Sequence, residues 1–236
     1  MALRARYGTQ TAMKLLSSLV AWVVTAGLAA CASAPVPPDW QANAHAALQG
    51  YTSAYLLGNT RLAEFEWARA KAEVASTGRM DLAARAELTR CAARVASLEF
   101  DHCAGYQSLA QDALPAERAY AAYLDGQWAG LDVAQLPAQH RAIAQGGGGA
   151  TASQLPALED PLARLVAAGA LLQAGRLTPQ DIAVAVDTAS SQGWRRPLLA
   201  WLGVQMQRAQ IAGDQEAAAR IQRRLDLLLQ AAPKAP

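Results

Sequence analysis

One apolar line narrows the fold more than any other feature. Ala84, Leu88, Cys91, Val95 and Leu98 recur at i, i+4, i+7, i+11 and i+14, the spacing of one face of an α-helix. A β-strand alternates every second residue and cannot bring these positions to one side. The segment from Asp81 onward therefore reads as a helix buried along that line, with Asp81 as its N-cap. The rhythm recurs upstream: Trp40 to about Leu57 ends at Gly58-Asn59, and Arg61 to Thr77 ends at Gly78 with Ala63, Trp67, Ala70 and Val74 on one face. Composition agrees, because an alanine-rich chain with only two phenylalanines favours close-packed helices over sheets. Apolar residues make up 53% of the 236 residues, ample for a packed core. The expected fold is all-α, built of helical hairpins.

After Phe100 the pattern shortens to one piece near Tyr106 to Ala113, another opened by Pro115 and stopped at Gly126, and weaker turns to about Gln145. Gly146 to Gly149, four consecutive glycines, read as a linker. A phosphate-cradling loop would need a preceding strand and a following Gly-Lys-Ser/Thr, and neither is present. A helix from Leu158 to Ala174 then meets Gly175. Thr178-Pro179-Gln180-Asp181 has the form of a capping box, opening a helix with Ile182, Ala185, Val186 and Ala189 on its inner face and Gly193 as its stop. A helix from Pro197 to Ala212 stops at Gly213, and Asp214 caps a last one with Ala218, Ile221, Leu225 and Leu228 as its seam.

The chain thus divides into a leader over 1–30, a proline-bearing tether over 31–39, helical regions over 40–145 and 154–232, and a glycine-rich linker over 146–153. Lys14 precedes an apolar stretch from Leu15 to Ala30, shorter than the ~20 residues that span a bilayer and laid out like a secretory signal. The stretch ends in Leu28-Ala29-Ala30-Cys31, which resembles the lipobox of bacterial lipoproteins. That resemblance implies cleavage before Cys31, lipidation of its thiol and a stable membrane anchor. Ala32 stands where an aspartate would imply retention at the inner membrane, so the resemblance points to the periplasmic face of the outer membrane. An ordinary signal peptidase site at Ala32-Ser33-Ala34 is the alternative, leaving Pro35 as the first mature residue.

The turn glycines Gly175 and Gly213 lie 38 residues apart, near the period of about 34 in tetratricopeptide repeats. The last hairpin, with Ala209, Gly213-Asp214 and Ala217-Ala218, resembles a degenerate repeat of that kind. A short solenoid and an irregular bundle both satisfy this pattern.

Arg4, Arg6 and Lys14 precede Cys31, and 18 basic against 19 acidic side chains follow it. The mature chain therefore has no electrostatic case for nucleic acid. Cys91 and Cys103 are an even pair in an oxidising compartment, which points to a disulfide; two separate thiols are the alternative. Asp101-His102-Cys103 lacks the fourth ligand and paired spacing of a zinc site. No nucleophile elbow, HExxH helix or phosphate loop occurs, so no catalytic residue, metal or cofactor is assigned beyond the lipid on Cys31.

Tyr51, Tyr55, Trp67, Tyr106, Tyr120, Tyr123 and Trp128 concentrate in the first half. Most read as core. Tyr120, Tyr123 and Trp128, with Trp194 and Arg195 at a helix junction, form the candidate interaction surface. The expectation is a non-catalytic lipoprotein presenting helical hairpins to another envelope protein. A cell-envelope enzyme with converging carboxylates or a Ser/His pair, and a small-ligand carrier with a cavity between helices, are the alternatives.

Overall fold

The computed structural model describes residues 38–146 and 153–230. The leader, Cys31, nearly all of the tether and most of the glycine run lie outside them. Among the described residues there is no strand. Ten α-helices follow in order: α1 Asp39–Leu57, α2 Thr60–Ala75, α3 Met80–Ala96, α4 Ala104–Gln107, α5 Pro115–Leu124, α6 Ala138–Gln145, α7 Pro161–Gln173, α8 Pro179–Ser191, α9 Arg195–Ile211 and α10 Gln215–Gln230. Short 3₁₀ turns at Ala110–Asp112, Val133–Gln135 and Leu155–Ala157 link them.

Local chemistry sets the ends. Thr178 and Asp181 form the reciprocal capping box, with Pro179 in the first turn. The Asp214 side chain accepts from the Ala217 N–H at 2.9 Å. At Gly213 the chain turns left-handed, with φ of +70°. Its N–H reaches the Gln210 carbonyl and the next N–H reaches that of Ala209, which satisfies two helix-end carbonyls.

Several boundaries differ from the sequence reading, among them the start of α9 at Arg195 rather than Pro197. Helix α3 opens at Met80, with Asp81 inside its first turn and paired to Arg79 at 2.6 Å, so Asp81 is no N-cap. Helix α7 begins at Pro161 rather than Leu158, because the Asp160 carboxylate accepts from the Ala163 N–H and Pro161 suits the first turn. Leu98 packs against the same cluster as the seam residues but from beyond the helix. Helix α3 stops at Ala96, and Leu98 takes the left-handed position after it with φ of 59°, where glycine usually stands.

Helix α3 is the wall between two apolar clusters. One side presents Ala84, Leu88, Cys91 and Val95 to a cluster reaching through Leu124, Leu165, Val166, Ile182, Val186, Trp201 and Ile221. The other presents Ala86 and Ala93 to Tyr51, Tyr55, Leu56, Trp67 and Val74 of α1 and α2. Small side chains on α3 let neighbours approach from both sides. Gly169 of α7 shows how closely, since a Cβ there would fall 2.3 Å from the Val95 carbonyl oxygen. Residues on both sides of the glycine run therefore fill one core, and the division between clusters falls on α3 instead.

Arg196, in the first turn of α9, ties the chain across more than ninety residues. Its guanidinium donates to the Tyr55 carbonyl at 2.8 Å, the Thr60 hydroxyl at 2.8 Å and the Glu99 carboxylate at 3.1 Å. It also lies 4.2 Å from the centre of the Tyr55 ring.

Candidate functional site

The structure sorts the expected site residues into two groups. Cys91 and Cys103 form a disulfide with their Cα atoms 5.2 Å apart, so the Cys103 sulfur is not free to join Asp101 and His102 as a thiolate ligand. Around that bond, Arg94 reaches Asp101 at 3.4 Å, and the His102 Nδ1 meets the Asp125 carboxylate.

Tyr120, Tyr123 and Trp128 come together, but largely as packing. Tyr123 is fully buried, which removes it from any interaction surface. Its ring stacks on Trp128 at 5.2 Å and on Tyr120 at 6.2 Å, and the His140 ring lies tilted against it at 5.0 Å. The Trp128 indole N–H donates to the Tyr123 carbonyl at 2.9 Å, and the Arg176 guanidinium lies 4.7 Å from the Trp128 ring centre. The i, i+3 spacing of Tyr120 and Tyr123 correctly put them side by side. It could not reveal that α6 and α7 cover them. Trp194 is half-buried against both apolar clusters, and the half-buried Arg195 has an Nε that finds no partner among the described residues. The interaction surface drawn from the sequence therefore does not form one exposed patch.

His140 sits 1% exposed within the aromatic stack, its Nδ1 3.3 Å from the Tyr123 hydroxyl. Burial pushes its pKa down to about 4, and the charge of Asp160 opposes this more weakly. An unfolded chain takes a proton on this ring near pH 6.5, whereas the folded chain resists it until about pH 4. The stability from the neutral ring is thus complete above pH 6.5 and declines as pH falls through about 4. Urea midpoints measured from pH 7 to 4 are expected to fall less steeply for His140→Phe than for wild type, since phenylalanine takes up no proton on unfolding.

A different site emerges at the last hairpin. Helices α8, α9 and α10 enclose an open groove of about 560 Å³. Its floor is apolar, with Ile182, Ala209, Ala217 and Ile221, and Arg208, Arg220 and Arg224 stand around it. Arg220 contacts Glu216 and Asp214 caps α10, but Arg208 and Arg224 make no ion pair among the described residues. The remainder of α10 is sparsely covered. Ile221 is its one buried residue, Leu225 and Leu228 are half-buried, and Leu227 is 68% exposed. The seam read from the sequence exists, and α9 is the helix that packs along it.

Sequence reading missed this groove. Arg220 and Arg224 are visibly i, i+4 on one face, yet their convergence with Arg208 depends on the pairing of α9 with α10. Among the described residues no helix is long and apolar enough to cross a membrane, and no group of three or more His, Cys, Asp or Glu residues is placed to hold a metal. Set against known protein families, curated proteins and solved structures, the chain matches none.

Proposed function

We propose that this protein is a lipid-anchored envelope lipoprotein, held through Cys31 at the periplasmic face of the outer membrane, whose helical body binds another envelope protein without catalysing a reaction. One observation carries the binding half of this reading: a groove of about 560 Å³ with an apolar floor and two guanidinium groups lacking ion-pair partners among the described residues. The occupant it fits is a protein segment bearing apolar side chains for Ile182 and Ile221 and carboxylates for Arg208 and Arg224. Guanidinium groups bind carboxylates through directed, charge-assisted hydrogen bonds, which gives such a contact orientation as well as attraction. Because these charges are exposed, association weakens as salt rises. The lipobox-like Leu28-Ala29-Ala30-Cys31 supports the address.

The test is photo-crosslinking in intact envelopes from a reactive amino acid at Gln205, which lines the groove. A discrete protein adduct in the membrane fraction is expected, reduced at least tenfold by Arg208→Glu with Arg224→Glu. Cys31→Ser is expected to move the chain out of that fraction. An adduct pattern identical to that from the exposed Asp187 on α8, indifferent to charge reversal, overturns the groove assignment. Unchanged fractionation of Cys31→Ser overturns the anchor.

A further inference from the structure

A second cleft lies on another part of the body and does not depend on the partner groove. Helix α3, helix α5 and the turn at Val133–Gln135 bound a space of about 300 Å³, with Leu88, Leu136, Pro137 and Tyr120 among its apolar lining. This is the lower end of the size range of small-molecule sites. Glu117, on the first turn of α5, contributes a carboxylate although the residue is only 4% exposed. Its Oε1 accepts both hydrogen bonds from Arg85, at 3.1 and 2.8 Å. Its Oε2 is shut off from solvent and accepts none. A carboxylate oxygen withdrawn from water without a donor is destabilising, and supplying the donor recovers that loss.

We infer that this cleft binds a small apolar carboxamide, its N–H donated to Glu117 Oε2 and its carbonyl accepting from the Arg85 guanidinium. Charge decides the class. Arg85 already balances Glu117, so a second cation in a partly buried cleft would leave one charge uncompensated, and an anion would face the bare oxygen. A neutral amide offers a donor and an acceptor in the plane that an Arg–carboxylate pair presents. The apolar part of the ligand then packs on Leu136, Pro137 and the Tyr120 ring. Access to Oε2 requires the Glu117–Arg85 pair to shift, and the Arg85 half of that pair is 61% exposed.

The probe is benzamide, added to the full chain in detergent, with the Leu88 and Leu136 methyl resonances as the readout. Saturable shifts in the millimolar range are expected, with benzoate and benzylamine binding at least tenfold more weakly. Glu117→Gln is expected to weaken benzamide about tenfold. Ala116→Trp, which fills the cleft from its half-buried rim and leaves Glu117 in place, is expected to abolish the shifts and serves if the first variant fails to fold. Absence of any saturable shift, benzoate binding as tightly as benzamide, or benzamide binding undiminished in the Ala116→Trp chain overturns the assignment.

Discussion

Trp201→Ala is expected to lower the free energy of unfolding by about 3–5 kcal/mol, the range for deleting a large buried aromatic side chain. Trp201 lies on α9 and is fully buried in the larger cluster. Its indole N–H donates to the Ala96 carbonyl at 3.1 Å, across 105 residues of sequence. Ala96 is the last residue of α3, so its carbonyl is one of the acceptors that a helix end leaves without an intrahelical donor. Truncation thus opens a cavity and also strands a buried acceptor. A phenyl ring recovers part of the packing: Trp201→Phe loses the donor and the remainder of the indole, for which a smaller loss of about 1–3 kcal/mol is expected. Urea unfolding at constant m-value measures both. A loss under 1 kcal/mol for Trp201→Ala would mean that α9 does not close against the end of α3.

The contrast between Trp201 and Thr178 shows what the sequence could disclose. Thr178-Pro179-Gln180-Asp181 completes its capping box within four residues, and Gly213-Asp214 ends one helix and starts the next within two. Such local chemistry is legible because every participant is adjacent, and the all-α class follows from it with the apolar spacing of α3. Trp201 and Arg196 act on partners about a hundred or more residues away, where spacing carries no information. The aromatic stack failed as a surface for a related reason. Tyr120 and Tyr123 share a helix face, but whether that face meets water depends on α6 and α7, whose positions no local pattern specifies. Glu117 was equally hidden, since a glutamate in a first helical turn is ordinarily an exposed residue favoured by the helix dipole. Only its pairing with Arg85, 32 residues earlier, and the cover of its second oxygen make it unusual. The arginines of the groove lie between these extremes: two are evident on one face, and the third requires the hairpin.

Removal of the Cys91–Cys103 disulfide is the remaining large effect, with an expected loss of about 3 kcal/mol in either single serine variant and no further loss in the double variant. The bond closes a loop of 12 residues in sequence separation, so its main action is to restrict the unfolded chain. A second contribution comes from the loop itself. Leu98, His102 and Cys103 all hold left-handed φ values, of 59°, 52° and 50°, although none is glycine. Such a conformation costs roughly 1–2 kcal/mol for each L-residue, and it persists where surrounding contacts over-determine it. Here those contacts are the Cys91 link, the Arg94–Asp101 pair and the His102–Asp125 contact. Both pairs are polar and partly exposed, and exposed pairs of this kind contribute little. The covalent link therefore dominates in holding the strained residues. Without it, residues 98–103 are expected to open locally before the rest of the body unfolds, because Trp201 and Arg196 hold the segment only on its N-terminal side, at Ala96 and Glu99, whereas the far side at Cys103 is tied back to α3 by the Cys91 link. Hydrogen exchange should accordingly quicken first at Tyr106 and Leu109, whose N–H groups close the turn after Cys103. Uniform acceleration over all of α3 would instead assign the bond to the global core, and unchanged urea stability in both serine variants would show that the bond contributes nothing to the folded state.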